Sequence, residues 1–341
     1  MSFLQIVLLV LAVLLFLRAF NLIAGVIWYN KPRPPGTTVL VNGKRYYYTL
    51  KGSGDSTVVI EAGLGSVSPE WWMIQDELSQ NARVLTYDRA GYGWSEFNPE
   101  PRTSGDIAGE LFTLLTTLEI NGPLILVGHS QGGYYTHHFA RVHPKRIAGV
   151  VFVDPLPPRD DRLRTELSPE LYKASGLDKT GRVKARSWLC AFGLLKVLAF
   201  VFKRTAPFTD YKRLPANTVQ ALWRHLLLPK TFKTMLREYR EGRKAINSEK
   251  LKRSGDFPQV PVEIVSQSRA RAIDGIARSS KLSRDDATRI EDLRRELVRE
   301  YLTFSPESEW IEVDSGRFLH LDAPQAVIEA VKQVLERATK K

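Results

Sequence analysis

Gly128-His129-Ser130-Gln131-Gly132 follows the apolar run Leu124–Val127 and opens a helix-like segment. Gly-x-Ser-x-Gly between a strand and a helix has the spacing of a nucleophile elbow. Its turn is so tight that neighbouring positions must lack a Cβ, and it lifts the serine hydroxyl above a sheet edge. A hydroxyl raised there attacks a carbonyl. The N–H of Gln131, at the helix start, faces the charge that develops on the attacked oxygen. Ser130 is therefore the candidate nucleophile.

A hydroxyl is a poor nucleophile until a base takes its proton, and the chain offers six histidines. His137, His138 and His143 fall on or just past the helix after the elbow and read as packing or surface residues. His129 lies inside the elbow, and His225 lies in a basic middle segment. His320 sits between the last expected strand and the last expected helix. No His-x-x-x-His or cysteine pair has ligand spacing, and no Walker-type glycine loop occurs, so neither metal nor cofactor is expected.

The elements that must position these groups alternate. Asn42-Gly43 between Thr38–Val41 and Arg45–Leu50 predicts a two-residue hairpin. Strands are expected at Val58–Glu61, Arg83–Tyr87, the elbow run, Gly149–Val153, Val260–Val265 and Trp310–Val313. Helices are expected near 69–79, 104–118, 131–142 and 285–301, with the last from Pro324 to Glu336. The order predicts an α/β fold on a doubly wound, mostly parallel sheet. The stretch Leu156–Phe257 lacks clear strands, and it holds an apolar run, Trp188–Phe202, that ends in Lys203-Arg204. That run suits either a buried helix of the insertion or a membrane surface. The organisation expected is 1–30 as a membrane anchor, 37–155 with 258–341 as the core, and 156–257 as a helical cap.

Phe3–Tyr29 is almost wholly apolar; as a helix of 27 residues it would span about 40 Å, enough to cross a bilayer with tilt. Lys31, Arg33, Lys44 and Arg45 follow it and no charged side chain precedes it, which leaves the bulk of the chain on the cytoplasmic side. The lone Cys190 excludes an intrachain disulfide framework and agrees with that side. The formal charge of +12 is concentrated: residues 157–260 carry 23 Lys and Arg against 10 Asp and Glu, and the rest is nearly neutral. No nucleic-acid-reading motif accompanies the basic segment, so the partners expected are a lipid-like ester and a membrane rather than nucleic acid. The mixed-sign run Arg278–Arg299 reads as a solvated helix face.

With Ala62-Gly63-Leu64-Gly65, Tyr87-Asp88-Arg89-Ala90-Gly91-Tyr92-Gly93-Trp94-Ser95 and Gly128–Gly133 in this order, the chain resembles the α/β-hydrolase fold family over about residues 37–339. The second motif resembles that of a capped, esterase-like branch. The resemblance implies Ser130 as nucleophile, an oxyanion hole from the N–H groups of Leu64 and Gln131, and a histidine in the loop that holds His320. A serine at the elbow argues against the dehalogenase and epoxide-hydrolase branches, which use aspartate there. The family pattern Ser-Gly-His-Phe-x-His-Leu-Asp-x-Pro is here Ser315-Gly316-Arg317-Phe318-Leu319-His320-Leu321-Asp322-Ala323-Pro324. Arginine stands where the catalytic histidine belongs, and it is no base near neutral pH. Either His320 reaches Ser130 in its place, or the triad is broken. For the acid, Asp154 after Gly149–Val153 is preferred over Asp274, the first carboxylate after Val260–Val265. The function expected is hydrolysis of carboxylic esters through an acyl-enzyme on Ser130. The alternative is a non-catalytic pseudo-hydrolase that binds a ligand or partner at the membrane, with Arg317 suited to a carboxylate or phosphate.

Overall fold

The computed structural model describes residues 2–29, 36–178, 180–195, 210–242, 244–316 and 318–340. The N-terminal apolar stretch is one helix, α1 (Phe3–Tyr29), with Phe3, Leu9, Phe16 and Ile23 all exposed. Its segment Phe3–Ile23 is long and apolar enough to cross a bilayer, a property that signal sequences share.

Eight strands then form one sheet: β1 (Thr37–Val41), β2 (Lys44–Lys51), β3 (Thr57–Glu61), β4 (Arg83–Tyr87), β5 (Leu124–His129), β6 (Ile147–Val153), β7 (Val262–Gln267) and β8 (Ser308–Val313). Their order is β1-β2-β4-β3-β5-β6-β7-β8. The β1–β2 and β2–β4 pairs are antiparallel and every later pair is parallel. The hairpin forms because Asn42 (φ 49°) and Gly43 (φ 73°) both take the left-handed backbone that a primed two-residue turn demands. β3 and β5 are buried along their whole length, as strands covered on both faces must be.

The helices are α2 (Trp72–Leu78), α3 (Ser104–Thr117), α4 (Gln131–Val142), α5 (Asp161–Glu166), α6 (Pro169–Ser175), α7 (Thr180–Ala191), α8 (Ala216–Leu226), α9 (Pro229–Gly242), α10 (Ala245–Lys252), α11 (Arg269–Ser280), α12 (Arg284–Val298), α13 (Leu319–Asp322) and α14 (Pro324–Thr339), of which α2, α3, α4 and α14 pack against the strands. One core lies around Leu126, Phe139, Phe152 and Tyr301; the other packs Val127, Val151 and Val265 against Trp71, Val327 and Val331. The helix expected from Pro69 begins instead as a 3-10 turn, Ser68–Trp71, before α2. Between β6 and β7 the described elements are all helical. Part of the apolar run Trp188–Phe202, together with Lys203-Arg204 and Pro32 to Pro35, lies outside the described residues.

A buried charge cluster fastens α9 to the sheet. The Arg89 guanidinium donates to Glu61 (2.5 Å), to the carbonyls of Ala62 (2.5 Å) and Gly63 (2.9 Å), and to Glu238 (3.1 Å). Arg102 donates to Glu238 (2.8 Å) and Glu110 (2.6 Å), and the Tyr92 hydroxyl donates to Glu238 (2.9 Å). Burial pushes the Glu238 carboxyl up, but Arg89 and Arg102 outweigh it and hold the group below its ordinary range. Removing one member leaves its partners charged and dry. Glu238→Ala should therefore cost about 3–5 kcal/mol, read as a lowered denaturation midpoint. Asp292→Ala, which breaks the exposed pair with Arg269, should cost about 0–1 kcal/mol.

Candidate active site

Ser130 joins the end of β5 to the start of α4 with φ 51° and ψ −118°, a backbone that a residue with a Cβ adopts only under compulsion. The neighbours supply it. Its N–H donates to the Val153 carbonyl (3.0 Å), and its carbonyl accepts from the N–H groups of Gly133 (3.1 Å) and Leu156 (3.2 Å). The flanking glycines are a matter of space: a Cβ on Gly128 would stand 2.4 Å from Thr136 Oγ1, and one on Gly132 would stand 2.2 Å from the Glu61 carbonyl oxygen. The sequence expectation of a strained strand–turn–helix at this serine matches the backbone found.

Gln131 is the first residue of α4, so its N–H belongs to the helix end that lacks internal acceptors. Its side chain donates to the Tyr135 hydroxyl (2.6 Å) and the Glu238 carbonyl (3.3 Å), which ties the elbow to α9. Leu64 sits in the loop after β3, half-buried. That loop packs against the elbow, since a Cβ on Gly63 would lie 2.9 Å from His129 Nδ1. A shallow cleft adjoins Gln131 and is lined by Tyr134, Leu156, Asp160, Tyr239 and Ser248.

His320 lies on α13 and is buried. Its ring stacks on Trp71 (centroids 4.6 Å apart, planes 8°) and stands 4.4 Å from the His129 ring. Nε2 faces Glu70 Oε2 at 3.2 Å, whereas Nδ1 has no hydrogen-bond partner among the described residues. Asp154 is elsewhere occupied: with φ 41° at the end of β6, its Oδ1 lies 3.4 Å from Arg294 Nη1, and Arg294 is also held by Glu291. Asp274, on α11, is paired with Arg284 at the start of α12, toward solvent. Among the described residues no hydrogen bond joins Ser130 to His320, or His320 to Asp154. Arg317 lies outside the described residues. His137 and His143 pack against Phe304 and Phe112, and His138 bonds Ser104 Oγ (2.7 Å), as their positions suggested.

The sequence pattern gave no sign of Glu70, the carboxylate that His320 meets. It sits on the turn Ser68–Trp71, accepts from Ser66 Oγ (2.6 Å), and is pushed up to about 7 by burial. Burial drives the His320 imidazole down to about 3, and burial with the nearby His320 does the same to His129.

A family model described as alpha/beta hydrolase fold matches residues 56–190. The non-heme chloroperoxidase of Streptomyces lividans is 31% identical over 196 residues, 56% of this chain and 66% of that protein. The structure of the epoxide hydrolase CorEH aligns with a TM-score of 0.63 at 18% identity, over 88% of this chain and 98% of that one. A thermophilic esterase from Thermogutta terrifontis aligns with a TM-score of 0.56 at 18% identity, over 90% and 99% of the two chains. In other curated relatives the match spans only 15% to 47% of the relative's own length. The chain belongs to the α/β-hydrolase fold family.

Two titrations check the histidine cluster. In NMR spectra the ring protons of His129 and His320 should stay unshifted from about pH 8 to about pH 5, where a free imidazole titrates near 6.5; a midpoint near that value would contradict the burial described. Glu70 binds its proton more tightly in the folded chain than in the unfolded one. Its contribution to stability should therefore fall as pH rises from about 4.5 to about 7 and stay level above. Denaturation midpoints of the wild type relative to Glu70→Gln should decline across that window.

Proposed function

We propose that this chain is a membrane-anchored serine hydrolase of carboxylic, lipid-like esters, with residues 156–257 as a cap over the core formed by 37–155 and 258–341. The observation that carries the reading is the left-handed Ser130, held against its own preference at the head of a helix. Backbone strain of this kind costs about 1–3 kcal/mol, and surrounding structure maintains it where it presents a reacting group. Ser130 Oγ attacks the ester carbonyl carbon and passes its proton to His320. The oxyanion is received by the N–H groups of Leu64 and Gln131, and the alcohol leaves with the proton. Water then adds to the acyl-enzyme, returns the acid, and restores the hydroxyl. For this cycle His320 must approach Ser130, with Asp154 or another carboxylate behind it. Residues 1–30 anchor the chain, and the positive charges that follow them favour a cytoplasmic catalytic domain.

A second reading is favoured by one observation: Asp154 is engaged by Arg294, and His320 by Glu70. On that reading the scaffold binds a ligand or partner at the membrane without turnover. Hydrolysis of p-nitrophenyl acyl esters by the full-length protein in detergent, together with labelling by a fluorophosphonate probe, separates the two. The hydrolase reading expects turnover and labelling, both abolished by Ser130→Ala, with turnover reduced by several powers of ten in His320→Ala. A wild-type chain that neither turns over nor labels overturns it.

A further inference from the structure

Asn21 is the buried position on α1 among its described side chains, on a helix whose other faces are mostly open. Its amide donates to the carbonyls of Cys190 (2.8 Å) and Ala191 (3.3 Å), and its side chain packs beside Gly193. These carbonyls belong to the last turn of α7, where helical N–H donors run out; the Cys190 carbonyl also accepts from the Gly193 N–H (3.0 Å). Asn21 thus caps α7 from another element and fixes its end to a set height on α1. That height follows from helix geometry. Asn21 lies eighteen residues beyond Phe3, about 27 Å along the axis, against a hydrocarbon layer about 30 Å thick. The cap is therefore at the exit face of a helix that spans from Phe3 to Ile23.

What stands at that height is suited to lipid. Trp188 is 53% exposed and packs on Phe192 with centroids 4.7 Å apart. Lys184, one turn before Trp188, is exposed, as is Arg186. An indole with its apolar body outward, with a cation one turn away on the same helix face, is the composition that settles at the boundary between acyl chains and anionic headgroups. We propose that the end of α7 is a second membrane contact, in which Trp188 and Phe192 enter the boundary of the bilayer that α1 crosses while Lys184 meets anionic headgroups. This rests on the reading of α1 as an anchor.

The test uses the full-length chain in vesicles of phosphatidylcholine and phosphatidylserine. Cys190→Ser provides a background that keeps a donor for the Leu227 carbonyl (2.9 Å from Cys190 Sγ). Trp188→Cys in that background carries an environment-sensitive fluorophore, and a second label at Ala185→Cys guards against loss of fold at position 188. Loss of emission with bromine-substituted lipid, together with shielding from aqueous iodide, is expected at both labels. Protein that floats with the vesicles but is quenched by iodide and not by bromolipid overturns the second contact and leaves the anchor standing. Protein that fails to float overturns both.

Discussion

The charge cluster around Glu238 governs how the two parts of the chain meet. Two guanidinium groups and three carboxylates share a buried interior, a placement that is tolerable only while every charge faces its partners. Arg89 reaches four of these contacts at once, two of them carbonyls of the loop beside the elbow. The same side chain therefore sets the conformation of Ala62–Gly65 and the position of α9. Gln131 adds a bond from the elbow to the Glu238 carbonyl. Whatever happens at Ser130 happens on a frame whose rigidity originates in these buried ions.

The elbow and the histidine cluster depend on that frame in different ways. Ser130 is held by backbone bonds to β6, to Leu156 just beyond it and to its own helix, so its strain is maintained by the sheet and the turn together. His320 is placed by aromatic stacking on Trp71 and by a carboxyl from a distant turn. Burial holds its ring neutral and makes it a weaker base than a free imidazole, and its Nδ1 has no hydrogen-bond partner among the described residues. The elbow and the histidine cluster are thus held by different kinds of contact.

Much of this was legible in the sequence where the signal was local. Asn42-Gly43 announced the hairpin, Gly128 and Gly132 announced the elbow, and the alternation of apolar runs with amphipathic segments announced the parallel sheet. The 3-10 start of α2 and the helix α11 were not legible, because Ser68-Pro69 reads as an ordinary helix start and Arg269–Ser280 buries only Ala272 and Ile273. The partners of charged groups were the least legible. Glu238 lies 149 residues from Arg89, and Glu70 lies 250 residues from His320. Pairing across such separations is written in the tertiary fold and leaves no periodicity behind. Asp154 shows the converse: a carboxylate at a suggestive strand end is matched in space to Arg294, 140 residues on.

The separation between Arg89 and Glu238 also sets an order of assembly. The strands β3 to β6 come from one continuous stretch that emerges early in synthesis, and they can pair through short crossovers. Arg89 lies within that stretch, yet Glu238 is supplied only after β6 and most of the insertion have been made. Until then Arg89 has Glu61 alone as a carboxylate partner, and closing the longer loop adds an entropic cost that grows slowly with its length. The first half of the domain is thus a sheet with an unfinished charge balance. The arrival of α9 completes that balance, before β7 and β8 extend the sheet and α14 closes the second core.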